Sequence, residues 1–138
     1  MKWRRNMNWQ KIWAVNKYWV MSKSQQQYDH IRLLAKNNQW TPQKSQELDK
    51  ILDSLGSVSP TRKTLVTTYQ HIWGYFKKKC TDEELHQYLK LLDELQPDND
   101  SLGPFLVQLT AKYQIDYLQK SRLIIELNER EGQSISKN

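Results

Sequence analysis

The sequence predicts an all-α fold, organised as a single domain of about six helices. Only four glycines and four prolines occur among the 138 residues. Apolar residues recur at intervals of three and four, the spacing of one helix face, and no stretch of useful length shows the period of two that strands require. One domain is the economical interpretation of this length, because it leaves no room for a separate catalytic domain.

Capping residues indicate where the helices begin. Thr41 followed by Pro42 predicts one helix start, and Pro60 after a serine predicts another. Thr81 and Glu84 have the spacing of a capping box. The predicted helices cover about residues 6–21, 25–36, 42–55, 60–79, 82–95, 104–113 and 116–129. The first two are either continuous or kinked near residues 22–24.

Both ends of the chain are expected to lie outside the bundle. Residues 1–8 form a basic arm that contains Trp3, and residues 132–138 are small and polar. The arm is therefore a candidate for contacts with a partner, and the tail is predicted to be disordered.

A run from Tyr69 to Lys79 is the most informative stretch. If it is helical throughout, His71, Tyr75 and Lys78 stand at i, i+4 and i+7 on one stripe, separate from the apolar stripe that faces the core. Gly74 inside that helix costs about 1 kcal/mol relative to alanine, so it hints at the close approach of another backbone or of a ligand. We therefore interpret this run as a site.

The same run carries a resemblance to a known family. The pattern of His71, Gly74, Tyr75, Phe76 and Lys77, followed by an acidic helix start and the Leu-Gly-Pro-Phe-Leu at residues 102–106, resembles the YbgA family of bacterial helical domains. The resemblance extends from about residue 9 to residue 127. Upstream, Lys17, Ser24 and Tyr28 fall on matching positions.

The chain departs from the family pattern at two places. Lys23 and Thr110 stand where the family usually has histidines. A family activity that needs those histidines would be lost or changed here. Members occur alone or attached to cysteine-rich desulfidase domains that act on thiolated nucleobases, so the resemblance implies work near modified nucleotides.

Charge is distributed unevenly along the chain. The net charge is +6, and residues 1–44 carry nine Lys or Arg against one acid, whereas residues 82–138 carry six against eleven. A cationic half attracts polyanions, so nucleic-acid binding is expected even without a designed site.

The remaining composition indicates the compartment. Cys80 is the only cysteine, so one chain forms neither an internal disulfide nor a cysteine-built metal site. No apolar stretch approaches the ~20 residues that span a bilayer, and the N-terminus lacks a secretion signal. We expect a cytoplasmic protein that does not enter a membrane.

The six tryptophans are interpreted mainly as packing residues. Trp9 and Trp13 are expected in the core. Trp3 and Trp19 fit that face less well, and aromatic rings among basic residues are what stacking on unpaired bases requires. Burial or self-association ranks first for them, base stacking second and a membrane surface third.

Common catalytic motifs are missing from the sequence. His30, His71 and His86 lie on different predicted helices without the spacing of metal ligands. His30 and His86 are interpreted as solvated surface. His71 either acts as an acid or base near neutral pH, with Tyr75 donating to a carbonyl, thiocarbonyl or phosphate oxygen, or simply bonds to a neighbouring helix.

These observations predict a binding module for an anionic ligand, either a nucleotide or RNA, without a metal or cofactor. One alternative is a small enzyme on a modified nucleobase, with His71 and Tyr75 as catalytic residues. Another is a structural or adaptor protein that binds a protein partner or a second copy of itself. The predicted ligand-binding residues share one groove and are Lys17, Lys23, Ser24, Tyr28, His71, Trp73, Gly74, Tyr75 and Lys78.

Overall fold

The computed structural model describes the backbone of residues 8–136 and the side chains of residues 8–131. Residues 1–7 of the predicted basic arm, which include Trp3, lie outside the described residues. The described backbone contains α1 (Trp9–Lys23), α2 (Gln25–Leu34), α3 (Pro42–Leu55), α4 (Arg62–Trp73), α5 (Asp82–Glu94), α6 (Leu102–Lys112), α7 (Asp116–Gln119) and α8 (Arg122–Ser136), with one 3₁₀ turn (Lys36–Asn38). It contains no β-strand beyond an isolated bridge between Gln96 and Asn99. The all-α prediction is confirmed, and the count of about six helices is too low.

Each of the first five helices begins at a polar cap. The capping side chains belong to Asn8, Ser24, Thr41, Thr61 and Thr81, and each accepts a hydrogen bond from a backbone N–H three residues later. Thr41 and the capping box of Thr81 with Glu84 match the prediction. Helix α4 begins after Thr61 and not at Pro60, because the hydroxyl of Thr61 accepts from the backbone N–H of Thr64.

Ser24 separates the first two helices. Its backbone N–H bonds to the carbonyl of Val20 at the end of α1, while its hydroxyl oxygen accepts from the N–H of Gln27 in α2. The same residue thus ends one helix and caps the next, which excludes a continuous helix. Helix α2 then stops at Leu34, because Asn37 and Asn38 adopt left-handed backbone angles, with φ of 63° and 55°.

Helix α4 is shorter than the sequence predicts. It ends at Trp73, and residues 74–79 form consecutive turns, in which the N–H of Tyr75 bonds to the carbonyl of Ile72 and that of Phe76 to Trp73. These bonds span three residues and not four. Tyr75 and Lys78 therefore leave the helical register of His71, and the predicted polar stripe does not form.

The last predicted helix is divided in two. Ser121 separates the single turn α7 from α8, and its backbone N–H bonds to the carbonyl of Leu118. Helix α8 continues through the backbone to Ser136, into the segment for which we predicted disorder. Lys137 and Asn138 lie outside the described residues.

Helix α1 occupies the centre of the fold. It packs against α4, α2, α8 and α3, while α6 packs against α8, α4 and α5. Helix α1 thus has neighbours on several sides. Its most buried tryptophan is Trp19, at 2% exposure. Trp9 and Trp13 are only partly buried, and Trp9 stacks on Trp40 with ring centroids 4.3 Å apart. The expectation that Trp9 and Trp13 are core residues is therefore wrong, whereas burial, the first-ranked alternative for Trp19, is confirmed.

Close packing at a glycine occurs at Gly103. A Cβ atom there would lie 2.9 Å from both the Leu127 side chain and the Tyr69 hydroxyl. Gly74 is exposed, and a Cβ on it would meet only the carbonyl of His71, at 3.1 Å. The interpretation of Gly74 as a point of close approach by another backbone is therefore wrong. None of the helices described here is both long and apolar enough to cross a membrane.

Candidate functional site

Three tyrosines from distant parts of the chain meet in one place. We call Tyr18, Tyr75 and Tyr117 the tyrosine cluster. The hydroxyl oxygens of Tyr18 and Tyr75 lie 3.1 Å apart and share a hydrogen bond. The rings of Tyr75 and Tyr117 are nearly parallel, with centroids 6.1 Å apart, and Tyr18 meets both rings edge-on at 6.3 Å. Such edge and offset contacts are the favoured arrangements of aromatic pairs.

Tyr18 and Tyr117 are neutral near pH 7. Burial raises the pKa of Tyr18 far above its ordinary value, and the hydrogen bond to Tyr75 raises it further. Burial also raises the pKa of Tyr117, with smaller contributions from Tyr75 and Tyr28. These side chains therefore serve as hydrogen-bonding and stacking groups, and they do not act as anionic bases.

A surface cavity of about 400 Å³ opens beside the cluster, between α1 and α7. We call it the α1–α7 cavity; it is lined by Lys11, Ala14, Val15, Asp116, Tyr117 and Lys120. Tyr117 is 39% exposed there, and its hydroxyl donates to the carbonyl of Ala14 at 3.2 Å. Lys120 pairs with Asp116 one turn earlier, at 3.2 Å. The cavity thus combines an accessible aromatic ring with two ammonium groups and one carboxylate.

Some of the predicted site residues lie at this place. Tyr75 belongs to the cluster, and Tyr28 is close enough to raise the pKa of Tyr18 and Tyr117. Tyr28 is itself buried, with Trp13 at 5.6 Å and the guanidinium of Arg32 5.8 Å from its ring. Lys17 is partly buried on α1 and does not line the α1–α7 cavity.

Lys23 lies on another side of the molecule. Its ammonium donates to the carbonyl of Val58 at 2.9 Å and stands 5.2 Å from the Trp19 ring, in a small cavity that Tyr69 also lines. His71 follows Tyr69 by two residues, which is about 200° around α4. Lys23 and His71 therefore face different sides of α4, and the prediction of one shared groove is wrong for this pair.

His71 is exposed, and its Nδ1 lies 2.8 Å from the carbonyl oxygen of Thr67. Because a carbonyl only accepts, Nδ1 carries a proton and Nε2 of the neutral ring holds the lone pair. The Tyr75 hydroxyl shares a hydrogen bond with that of Tyr18. Donation from Tyr75 to a ligand oxygen beside His71 stays a prediction.

The other predicted residues have structural environments. Trp73 is 6% exposed and stacks on Tyr88 with centroids 4.1 Å apart, so its faces are not available to a base. Ser24 caps α2, and Gly74 ends α4. Lys78 is exposed in the turns after α4.

Thr110 is buried in α6, whereas His30 and His86 lie on the surface. Thr110 is buried and donates to the carbonyl of Leu106 one turn earlier, which is an ordinary role for threonine in a helix. His30 is exposed and pairs with Glu47 at 2.8 Å, and His86 is exposed. Among the described residues, no three His, Cys, Asp or Glu side chains converge closely enough to hold a metal ion.

Tyr18, Tyr117 and Lys120 are the residues that sequence reasoning missed, whereas Lys11 is one of the basic residues near the N-terminus for which base stacking is considered. The sequence predicts Tyr117 within a long helix. In the structure Tyr117 lies in the single turn α7, and its side chain folds back onto α1. A local pattern does not reveal a contact between residues 103 positions apart. Only the concentration of lysines near the start of the chain pointed in this direction.

Comparison with known proteins adds the family and nothing more specific. No curated protein and no solved structure shows significant similarity to the chain. The sequence profile of a family described as proteins of unknown function (DUF1722) matches residues 17–126, about four fifths of the chain. The match includes α2 to α7 and the segments that resemble YbgA. The chain therefore belongs to this family, the YbgA-like domains.

Proposed function

We propose that the protein is a cytoplasmic binding module for an anionic, aromatic ligand, either a nucleotide or single-stranded RNA, and that the α1–α7 cavity receives it. The observation that carries this proposal is the exposed side chain of Tyr117, which lines the cavity together with Lys11 and Lys120. A base stacks on an aromatic ring, and ammonium groups contact the adjoining phosphates.

The size of the cavity supports a small ligand. About 400 Å³ falls within the range of roughly 300–1,000 Å³ that is usual for small-molecule sites. That volume suits one nucleotide unit. A longer RNA would place a single base here and continue over the basic surface.

The hydrogen bonds of the cluster support a preformed site. The Tyr117 hydroxyl donates to the backbone of α1, and the Tyr18–Tyr75 pair backs its ring. Because these contacts hold the ring before a ligand arrives, less conformational entropy is lost on binding.

Binding of a labelled single-stranded oligonucleotide tests the proposal. Tyr117→Leu removes the stacking ring, which is worth about 1–3 kcal/mol per base, so affinity should fall about 5- to 150-fold. Tyr117→Phe keeps the ring but loses the hydrogen bond to Ala14, so its affinity should fall less than that of Tyr117→Leu. Lys11→Gln and Lys120→Gln should each reduce the slope of log affinity against log salt by about 0.7.

Lys90→Gln is the matched control, since Lys90 is exposed on α5 and lines neither the α1–α7 cavity nor the cavity beside Lys23. Like Lys11→Gln and Lys120→Gln, Lys90→Gln lowers the net charge of the protein by one. If Tyr117→Leu binds as tightly as the wild type, or if Lys90→Gln lowers the slope as much as Lys11→Gln, the attraction comes from overall charge and the proposed site is wrong.

A second candidate function rests on His71. An exposed imidazole with Nδ1 fixed as a donor leaves Nε2 free to accept a proton, as a general base must. In that case His71→Ala abolishes turnover of a modified nucleobase. In the binding module it leaves binding unchanged, because His71 does not line the α1–α7 cavity.

Exposed leucines favour the adaptor alternative. Leu85 and Leu89 lie one turn apart on α5 with exposures of 37% and 51%, and Leu33 on α2 is 69% exposed. Light scattering at several salt concentrations distinguishes this function, because association through leucines strengthens with salt while association through charges weakens.

A further inference from the structure

A second, more enclosed cavity lies between α1, α4 and α8, and we call it the α1–α4–α8 cavity. Its volume is about 80 Å³. Its walls are Trp19, Ser22, Lys23, Pro60, Leu65, Tyr69, Pro97, Asp100, Leu123 and Arg130. Aromatic and aliphatic side chains thus surround a small number of charged groups.

Three cations converge around this cavity. Lys23 and Arg130 line it, and the guanidinium of Arg122 packs on the Trp19 ring at 3.6 Å. Burial lowers the pKa of Lys23; Glu126 opposes that effect, and Arg130 and Arg122 add to it. The like charges therefore repel one another in a partly desolvated place.

The nearby carboxylates have other partners. The two oxygens of Asp100 accept from the Tyr69 hydroxyl at 2.5 Å and the Gly103 N–H at 2.8 Å. Glu126 lies 3.7 Å from Arg122. Within the described part of the chain, neither Lys23 nor Arg130 forms an ion pair.

We propose that the α1–α4–α8 cavity binds a tetrahedral oxyanion, either free phosphate or the terminal phosphate of a larger molecule, between Lys23 and Arg130. An anion there would offset the repulsion among the cations and accept their N–H groups. Lys23 has three such bonds and gives one to the carbonyl of Val58. The guanidinium of Arg130 offers a planar pair of donors that matches phosphate geometry.

The volume sets the class of ligand. A single water needs about 10–15 Å³, so 80 Å³ accommodates a few waters or one tetrahedral anion. This volume is well below the roughly 300–1,000 Å³ of sites that enclose a whole small molecule. A nucleotide would thus insert only its phosphate, which makes this site separate from the stacking site at Tyr117.

Thermal unfolding with added inorganic phosphate tests the inference, at constant ionic strength set with chloride. We expect the wild-type Tm to rise with phosphate concentration, as it does for any ligand that binds only the folded state. Arg130→Gln should raise the apparent Kd for phosphate at least tenfold. Lys23→Met should raise the apparent Kd for phosphate by a similar factor. If Lys23→Met does not fold, Arg130→Gln alone tests the site, because Arg130 is exposed at the rim of the cavity.

One control and one further ligand complete the test. Lys90→Gln removes a positive charge elsewhere and should leave phosphate affinity unchanged. The further ligand is adenosine 5′-monophosphate, tested on the Tyr117→Leu variant. If it binds as tightly as phosphate, the site accepts the terminal phosphate of a larger molecule. If it does not bind, the site accepts only the free anion. The inference is overturned if phosphate does not stabilise the wild type, or if Arg130→Gln and Lys90→Gln respond alike. Either result leaves the Tyr117 site standing, since that site is assayed separately by oligonucleotide binding.

Discussion

At the scale of single residues, the tyrosine cluster depends on one buried hydroxyl. Tyr18 is 6% exposed, and within the described residues its hydroxyl bonds only to that of Tyr75. This bond joins α1 to the turns after α4, and Tyr117 packs against both rings. The position of the exposed ring of Tyr117 is therefore set by groups that do not line the cavity.

Tyr18→Phe tests this dependence. We expect the free energy of unfolding to fall by about 0.5–1.5 kcal/mol, because one internal hydrogen bond is lost and the Tyr75 hydroxyl is left without its partner. Urea denaturation measures the difference. Tyr28→Phe is the control, since the Tyr28 hydroxyl bonds to no described residue, and an equal loss in both variants would contradict the assigned role of the Tyr18–Tyr75 bond.

Gly103 provides a second test at this scale. Gly103→Ala places a methyl group 2.9 Å from Leu127 and Tyr69, and such overpacking typically costs about 1–3 kcal/mol. Gly56→Ala is the matched control, because its Cβ would lie at an ordinary 3.5 Å from a carbonyl and its φ of −57° suits alanine. That control should stabilise the fold by about 0.4–1 kcal/mol. Similar unfolding free energies for the two variants would show that α6 moves to accept the methyl group.

At the scale of helices, Glu84 joins α5 to α6. It closes the capping box of α5 and also accepts from the Lys112 ammonium and the Tyr113 hydroxyl at the end of α6. The bonds from Lys112, Tyr113 and the Thr81 backbone lower the pKa of the Glu84 carboxyl to about 2. One carboxylate thus fixes the start of one helix and the end of another.

This arrangement predicts a pH dependence. The pKa of Glu84 is lower in the folded than in the unfolded protein, so its contribution to stability is complete above the ordinary value of 4.5 and disappears as the pH falls toward 2. Wild type and Glu84→Gln should therefore differ in Tm at pH 7 and converge between pH 4.5 and 2. A constant difference across that range would mean that the charge of Glu84 does not carry the interaction.

The helix boundaries indicate what a sequence reveals about this fold. Thr41 and Thr81 were predicted correctly because a cap is a local interaction over three residues. The sequence does not reveal the end of α4, because Phe76 continues the apolar spacing of Ile72 although the backbone N–H groups of Tyr75 and Phe76 form i→i+3 bonds. Glycine at position 74 is the available signal for that end, although we interpret it from the sequence as the close approach of another backbone or of a ligand.

At the scale of the whole molecule, the position of α1 decides which side chains are accessible. Because α1 is packed by four other helices, Trp19 is buried while Trp9 and Trp13 lie nearer the surface. Lys23 follows Lys17 by only six positions in the sequence, but in the folded protein Lys23 lines the α1–α4–α8 cavity. Composition predicted a cationic protein, and tertiary contacts between α1 and α7 decided where its aromatic cavity lies.

The central claim is that ligand enters beside Tyr117, and an NMR titration with a nucleoside monophosphate tests it most directly. We predict that the backbone amide signals of residues 11–18 and 115–120 move together with the ligand concentration, and that those signals in Tyr117→Leu do not. A second, independent set of shifts around Lys23 and Arg130 would report the oxyanion site. Shifts confined to residues around His71, or to the exposed leucines of α5, would contradict the account.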